Sequence, residues 1–309
     1  MWRASMPYGR KGIAVHALSA VDLALYDLLG KLREEPVFAL LGGKTKERVP
    51  VYATTARPDL AQQLGFVGAK YPLAYGAVDG DQGMKKNVAI HKEWRAAVGP
   101  DYPLMVDCYM SLTVPTSVQL AQQLAPHGVK WIEEYLQPDD YEGLRQVKAA
   151  VGGTDCLLAT AEHEYSRWGY KQLIDDGCVD VLQPDITWLG GITEARRVIA
   201  MASASGVLVI PHGSSVFSYH LALASVNVPM SEYITPQLDH ITPYYTGLFD
   251  GEPLPKDGAL ELDETKPGFG LTLVRDGLHR PYARDRDWSR LNAAANLHFK
   301  EAEPPRMRL

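Results

Sequence analysis

"PLMVDCYMSLTVPTSVQLAQQLAPHGVKWIEEYL", residues 103–136, sets two short apolar runs on either side of a helical pattern. The runs 103–109 and 130–136 have the length and residue types of buried strands. The stretch 115–128 between them has helical periodicity and closes on Gly128, a residue suited to a helix C-cap. The segment therefore reads as one strand–helix–strand unit.

The same unit recurs on both sides. Further strands are expected at 49–54, 67–73, 157–163, 179–185, 207–213 and 231–235, with a helix at 190–206 that again ends on a glycine. Eight strands in a βα repeat, with no GxGxxG after the first, favour a (β/α)8-type barrel over a doubly wound sheet. A three-layer sheet is the alternative. Residues 12–32 carry apolar side chains at three- and four-residue steps (Leu18, Val21, Leu25, Leu28) together with His16, Asp22 and Asp27. That pattern describes an amphipathic helix and not a membrane span.

Composition narrows the function. The 309 residues are 46% hydrophobic and 22% charged, with net charge −6 and no basic cluster, which disfavours nucleic acid as a partner. The N-terminus lacks the apolar core of a signal peptide, and three cysteines without metal-ligand spacing fit a reducing compartment, so the expected location is the cytoplasm. Apolar surface on helix 12–32 favours a homo-oligomer.

Barrel enzymes keep their chemistry at the C-terminal ends of the strands. From the third strand onward the runs carry Asp107, Glu133, Glu162, Asp185, His212 and Glu232 there, roughly 20 to 29 residues apart. An acid has no structural use at the end of a buried apolar strand, so six such residues in succession describe a site. Asp107, Glu133 and Glu162 come from neighbouring strands, and three carboxylates that close require a cation to stay ionised. Oxygen ligands with open positions suit Mg²⁺ or Mn²⁺, whereas zinc would call for paired His/Cys ligands. Asp185 and His212 come from the next two strands, and a carboxylate beside an imidazole is the arrangement of a general base. Period-two alternation alone leaves Glu133 and Glu134 as equal candidates for the second acidic ligand.

With those residues in place, the chain resembles the enolase superfamily, in its mandelate racemase subgroup, and within it the L-rhamnonate dehydratases. The likeness rests on "LMVDCYMS" (104–111), "KWIEEYLQPDDYEG" (130–143), "LQPDITWLGG" (182–191), "VIPHGSSVFSYH" (209–220) and "KPGFG" (266–270), and it runs from about residue 10 to 275. It implies a modified TIM barrel of (β/α)7β type, residues 49–239. Residues 1–48 would be a remnant of an α+β capping domain and residues 240–309 the C-terminal return to it. Relative to that family the chain begins near the end of the cap.

The resemblance also implies roles. Asp107, Glu133 and Glu162 would be Mg²⁺ ligands, the family pattern choosing Glu133 over Glu134. His212 would be the base and Asp185 its partner, and Glu232 would hydrogen-bond the substrate carboxylate. His163 would be a substrate contact or a support behind one. Racemases of the subgroup carry Lys-x-Lys on strand two. Here Lys70 matches the first position and Pro72 stands at the second, which favours dehydration. Lys70 would either polarise the substrate carboxylate or plug the barrel end.

The implied reaction is Mg²⁺-dependent loss of water from a six-carbon acid sugar, L-rhamnonate first, through an enediolate to a 2-keto-3-deoxy acid. The alternatives are a sister dehydratase acting on L-galactonate or L-fuconate, and a catalytically silent barrel. "GAVDGDQG" (76–83) is expected to be a flexible loop at the active site.

Overall fold

A computed structural model describes residues 1–235, 241–245 and 247–275. Eight parallel strands appear at the expected places: β1 (Val49–Thr54), β2 (Ala69–Pro72), β3 (Leu104–Asp107), β4 (Val129–Glu133), β5 (Leu157–Thr160), β6 (Val181–Leu182), β7 (Leu208–Val209) and β8 (Ser231–Ile234). They pair in the order β8-β1-β2-β3-β4-β5-β6-β7, so the sheet curls in chain order as a barrel requires and does not reverse as a doubly wound sheet does.

A long helix, α1 (Ile13–Arg33), precedes the sheet. Between the strands lie α2 (Pro58–Gln63), α3 (Gly80–Val98), α4 (Val114–Leu124), α5 (Tyr141–Val151), α6 (Ser166–Asp175), α7 (Gly191–Ala204) and α8 (Val216–Ala224). One helix between each pair of consecutive strands gives the (β/α)7β arrangement. Past β8 the chain adds β9 (Phe249–Asp250), β10 (Ala259–Leu260) and β11 (Thr272–Leu273), and β10 pairs antiparallel with the start of β1.

Among the described residues β7 and β8 share no ladder. Side chains join them instead: the Gly213 amide donates to Glu232 Oε2 at 2.8 Å, and Ser218 and Ser231 hydroxyls meet at 3.1 Å. Gly213 leaves room there for Ile234, whose Cδ1 would lie 2.3 Å from an added Cβ and would have to shift. Inside the curl, Tyr52, Met105, Trp131, Ala159, Val181 and Ile210 form a separate buried layer that fills the barrel beneath its mouth.

Three expectations need correction. The ladders of β5, β6 and β7 stop before Glu162, Asp185 and His212, which sit two or three residues beyond on the rim. Ala161 turns the chain with φ 95°, and Pro184 and Pro211 have no amide to donate to a neighbouring strand. Glu232 is the second residue of β8, paired in register with Tyr52, and is not at the strand end. Segment 76–83 is no free loop: a short 3₁₀ turn, Ala77–Asp79, leads straight into α3, and Asp79 Oδ2 accepts the Gly76 amide at 2.8 Å.

Helix α1 also turns a different face inward than its pattern suggested. Val15, Ser19, Leu23 and Gly30 are buried, while Val21, Leu25 and Leu28 are 39%, 57% and 52% exposed. Small residues and polar ties decide this. A Cβ on Gly30 would lie 2.7 Å from Gly268 Cα, so the helix approaches the C-terminal segment closely at that point. Asp22 accepts the Thr193 amide at 2.9 Å and its hydroxyl at 2.5 Å, capping α7 from another helix. By length and composition α1 could cross a membrane, with a mean hydropathy of 1.5, yet these ties bind it to the barrel.

Candidate active site

The rim gathers the acids and the histidine into two connected groups. In the first, Lys70 of β2 is 1% exposed and lies among three carboxylates. Its ammonium bonds Glu133 Oε1, lies 2.9 Å from Glu232 Oε1 and 3.7 Å from Asp107 Oδ2. Burial alone would depress this ammonium, but Glu133, Glu232, Tyr52 and Asp107 prevail and hold it protonated.

Glu133 is fully buried, and Oε2 accepts from Trp131 Nε1 at 3.1 Å and Gln183 Nε2 at 2.6 Å. Burial pushes its carboxyl up to about 8 against the pull of Lys70, and burial raises Asp107 as well. Glu232 goes the other way: burial works to raise it, but Lys70, His212 and the Thr54 hydroxyl hold it below the usual range.

The second group is centred on His212. Its Nδ1 lies 2.7 Å from Asp185 Oδ2, and Asp185 Oδ1 accepts the Thr187 amide and hydroxyl at 2.7 and 2.5 Å. The carboxylate is thus fixed on one side and fixes the imidazole on the other, leaving Nε2 free to face Glu162 Oε2 at 3.5 Å. Burial opposes the imidazolium, yet Glu232, Asp185 and Glu162 raise His212 to about 10.

Glu162 is buried, and its Oε2 accepts no hydrogen bond. Burial pushes its carboxyl up to about 8. A buried carboxylate oxygen that accepts no hydrogen bond, with only the His212 ring near it at 3.5 Å, is suited to a cation. Among the described residues no three His, Cys, Asp or Glu side chains close around one point, because Lys70 supplies the positive charge between Asp107 and Glu133. The donor chemistry nonetheless fits a hard divalent ion: three carboxylates, one with an oxygen that accepts no hydrogen bond, no thiolate, and two imidazoles already engaged by Glu134 and Asp185.

The backbone sends the two adjacent glutamates to different places. Glu133, the last ladder residue of β4, points to the barrel interior. Glu134 adopts φ 43°, turns to the rim, and accepts from Thr160 Oγ1 at 2.5 Å and the Ala161 amide at 2.7 Å. Its Oε2 lies 3.0 Å from His163 Nδ1. Burial would raise Glu134, but the bonds from His163, Thr160 and Ala161 outweigh it and the carboxyl is lowered. So Glu134 orients His163, as Asp185 orients His212.

Sequence reasoning missed Gln183 and Trp188. Gln183 is wholly buried beneath the rim. Trp188, in the loop after β6, sets its indole 5.3 Å from the His212 ring and 5.4 Å from the His163 ring. Both lie inside the quoted motif 182–191, which was the available signal.

Comparison with known proteins agrees with this architecture. Residues 59–277 match the family model for enolase C-terminal domain-like proteins. The chain is 46% identical over 288 residues to an L-rhamnonate dehydratase of Saccharopolyspora erythraea, covering 92% of this chain and 73% of that one. Among solved structures, L-rhamnonate dehydratase from Gibberella zeae superposes with a TM-score of 0.85 at 43% identity, over 91% of this chain and 74% of that one. A structure of rhamnonate dehydratase from the same organism complexed with Mg gives 0.86 at 44%, over 90% and 69%. The 3,6-anhydro-D-galactonate cycloisomerase from Zobellia galactanivorans gives 0.79 at 29%, over 90% and 78%. With a curled (β/α)7β sheet, its acids and histidine on one rim, and these relatives, the chain belongs to the enolase superfamily.

Proposed function

We propose that this protein is a Mg²⁺-dependent hydro-lyase that converts L-rhamnonate to its 2-keto-3-deoxy acid. The observation that carries the proposal is the Asp185–His212 pair, held at 2.7 Å with Nε2 directed at the carboxylate cluster. The 46% identity to an L-rhamnonate dehydratase supports the choice of substrate. Asp107, Glu133 and Glu162 would hold the cation. When bound, Mg²⁺ supplies Lewis-acid polarisation of the substrate carboxylate and 2-hydroxyl.

The chain's own residues do the rest. His212 Nε2 takes the C2 proton while Asp185 holds Nδ1 and stabilises the imidazolium. The same imidazolium returns a proton to the departing 3-hydroxyl, so that water leaves and the enol tautomerises to the ketone. Glu232 anchors the Lys70 ammonium at 2.9 Å on the side of the substrate carboxylate. His163, oriented by Glu134, contacts the substrate hydroxyls. Pro72 leaves no second base on the opposite face, consistent with elimination rather than racemisation.

We also read 49–239 as the catalytic barrel, with 1–48 and 240–309 as parts of a capping unit; 236–240, 246 and 276–309 lie outside the described residues. The packing of α1 outside the barrel and the β10–β1 pairing support this. Free, buried Cys108, Cys156 and Cys178 support a cytoplasmic location, and the exposed leucines of α1 support a homo-oligomer.

Incubating the protein with a panel of six-carbon acid sugars, with and without Mg²⁺, and assaying 2-keto-3-deoxy acid tests the proposal. Product from L-rhamnonate only with Mg²⁺ is the expected result. Turnover in excess chelator, or product from L-galactonate or L-fuconate alone, would overturn it.

A further inference from the structure

Helix α1 lies outside the barrel, yet one of its side chains enters the aromatic cluster at the mouth. His16 is sandwiched between Tyr165 and Trp188: ring centroids are 5.7 Å and 5.5 Å apart, with interplanar angles of 23° and 16°. Its Nε2 lies 3.1 Å from the Tyr165 hydroxyl. On the barrel side, the Trp188 indole meets the rings of His163 and His212 at 5.4 and 5.3 Å. All these separations fall within the range of attractive aromatic pairing, about 4.5–7 Å between centroids.

The helix holds the same loop a second time. Ser19, one turn beyond His16 on the same face, accepts the Gly190 amide at 2.9 Å, and Asp22, a further turn along, caps α7. The loop after β6 carries both Asp185 and Trp188, so α1 grips it through His16 at the indole and through Ser19 at its exit. None of this is demanded by helix packing, for which an aliphatic residue at position 16 would serve.

We infer that the column Tyr165–His16–Trp188 is a positioning device by which α1 fixes the orientation of His212 and His163. His16 itself touches no substrate; it is a positioning residue acting through Trp188. The inference rests on the proposed dehydratase reading for its kinetic consequence only. Near-attack geometry is steep in distance, a 1 Å misplacement costing roughly 10²-fold, so slackening the indole should show in turnover.

The test compares His16→Ala with His16→Phe, which keeps a stacking ring without the hydrogen bond. The first readout needs no substrate: NMR signals of the His163 and His212 imidazole C–H groups, assigned with His163→Asn and His212→Asn. In His16→Ala both should move, and the His212 signals decide, because His16 acts on His163 by charge as well but reaches His212 through Trp188. In the second readout, kcat on L-rhamnonate with Mg²⁺ should fall about tenfold with KM within about twofold, and His16→Phe should restore most of it. Trp188→Phe, which retains a ring at the barrel end of the column, should keep more than a tenth of kcat while Trp188→Ala loses about tenfold and moves both imidazole signals, and this pair serves if His16→Ala does not fold. Unmoved imidazole signals and unchanged kcat in His16→Ala overturn the inference. Absence of dehydration by the unaltered protein overturns the functional reading instead, and the imidazole shifts still judge the column.

Discussion

Lys70 Nζ on β2 and Glu232 Oε1 on β8 lie 2.9 Å apart across β1, both essentially without solvent exposure. The pair closes a ring of charge in which one ammonium serves Glu133, Glu232 and Asp107. Removing one partner of a buried pair leaves an uncompensated charge, a loss of about 3–5 kcal/mol. Lys70→Met should therefore destabilise the metal-free protein by that order, read by urea unfolding. Added Mg²⁺ should recover more stability in the variant than in the unaltered protein. Equal unfolding midpoints without metal would contradict this account of Lys70.

His212→Asn should abolish dehydration and C2 proton exchange with deuterated solvent, a loss on the order of 10²–10⁴ for a general base. Mg²⁺ binding should survive. Asp185→Asn keeps the imidazole and should cost less, with the His212-governed limb of the rate profile moving to lower pH, because a group favouring the imidazolium is gone. Exchange at the full rate in His212→Asn would place the base elsewhere.

Glu133→Gln removes an anionic donor and leaves its partners Trp131, Gln183 and Lys70 in place. Calorimetric titration should show Mg²⁺ affinity falling by more than the roughly 10–100-fold that loss of an outer partner costs. Gln183→Leu, which removes only such an outer partner, should fall inside that range. Unchanged affinity in Glu133→Gln would remove it from the ligand set.

Two buried histidines should each withdraw stability on acidification, opposite in sign to Glu133 and Glu162, whose raised carboxyls add it. Burial lowers His91 from the ordinary 6.5 to about 4 and His220 to about 3. His91 accepts from Tyr71 at Nδ1 and faces the His127 carbonyl through Nε2, while His220 Nδ1 accepts the Phe38 amide at 3.1 Å. A proton on either Nδ1 would oppose the one donor already there. Below 6.5 the unfolded chain takes up protons that the native state refuses, so their share of stability is full above that pH and declines as pH falls. The decline is complete near 4 for His91 and 3 for His220, on the order of 3 kcal/mol for His91. Denaturant titrations of the unaltered protein and of His220→Gln at pH 7 and 4.5 check this: the gap in stability between the two proteins should narrow or reverse in the variant's favour as pH falls, and a gap that does not change with pH would contradict it.

Asp22→Ala should cost about 1 kcal/mol through loss of the cap on α7, seen as a lower unfolding midpoint. No change would mean that Thr193 finds water in its place.

The sequence by itself determined the repeat, the number of parallel strands and the acid or histidine near the end of each strand from β3 to β7, because buried strands are marked by composition and an acid among them is conspicuous. The Asp185–His212 pair followed from strand order alone, whereas naming Glu133 over Glu134 needed the family resemblance. Tertiary structure decided everything that depends on direction across space. The turn at Glu134, φ 43°, separates two adjacent glutamates into an interior group and a rim group, and a dihedral angle is invisible to periodicity. Which face of α1 is buried was set by Gly30, Ser19 and Asp22, which meet partners on distant parts of the chain, and the leucine pattern pointed the other way. Trp188 and His16 lie far apart in sequence, and only packing brings their rings together, since side-chain stacking between separate elements leaves no local pattern to read.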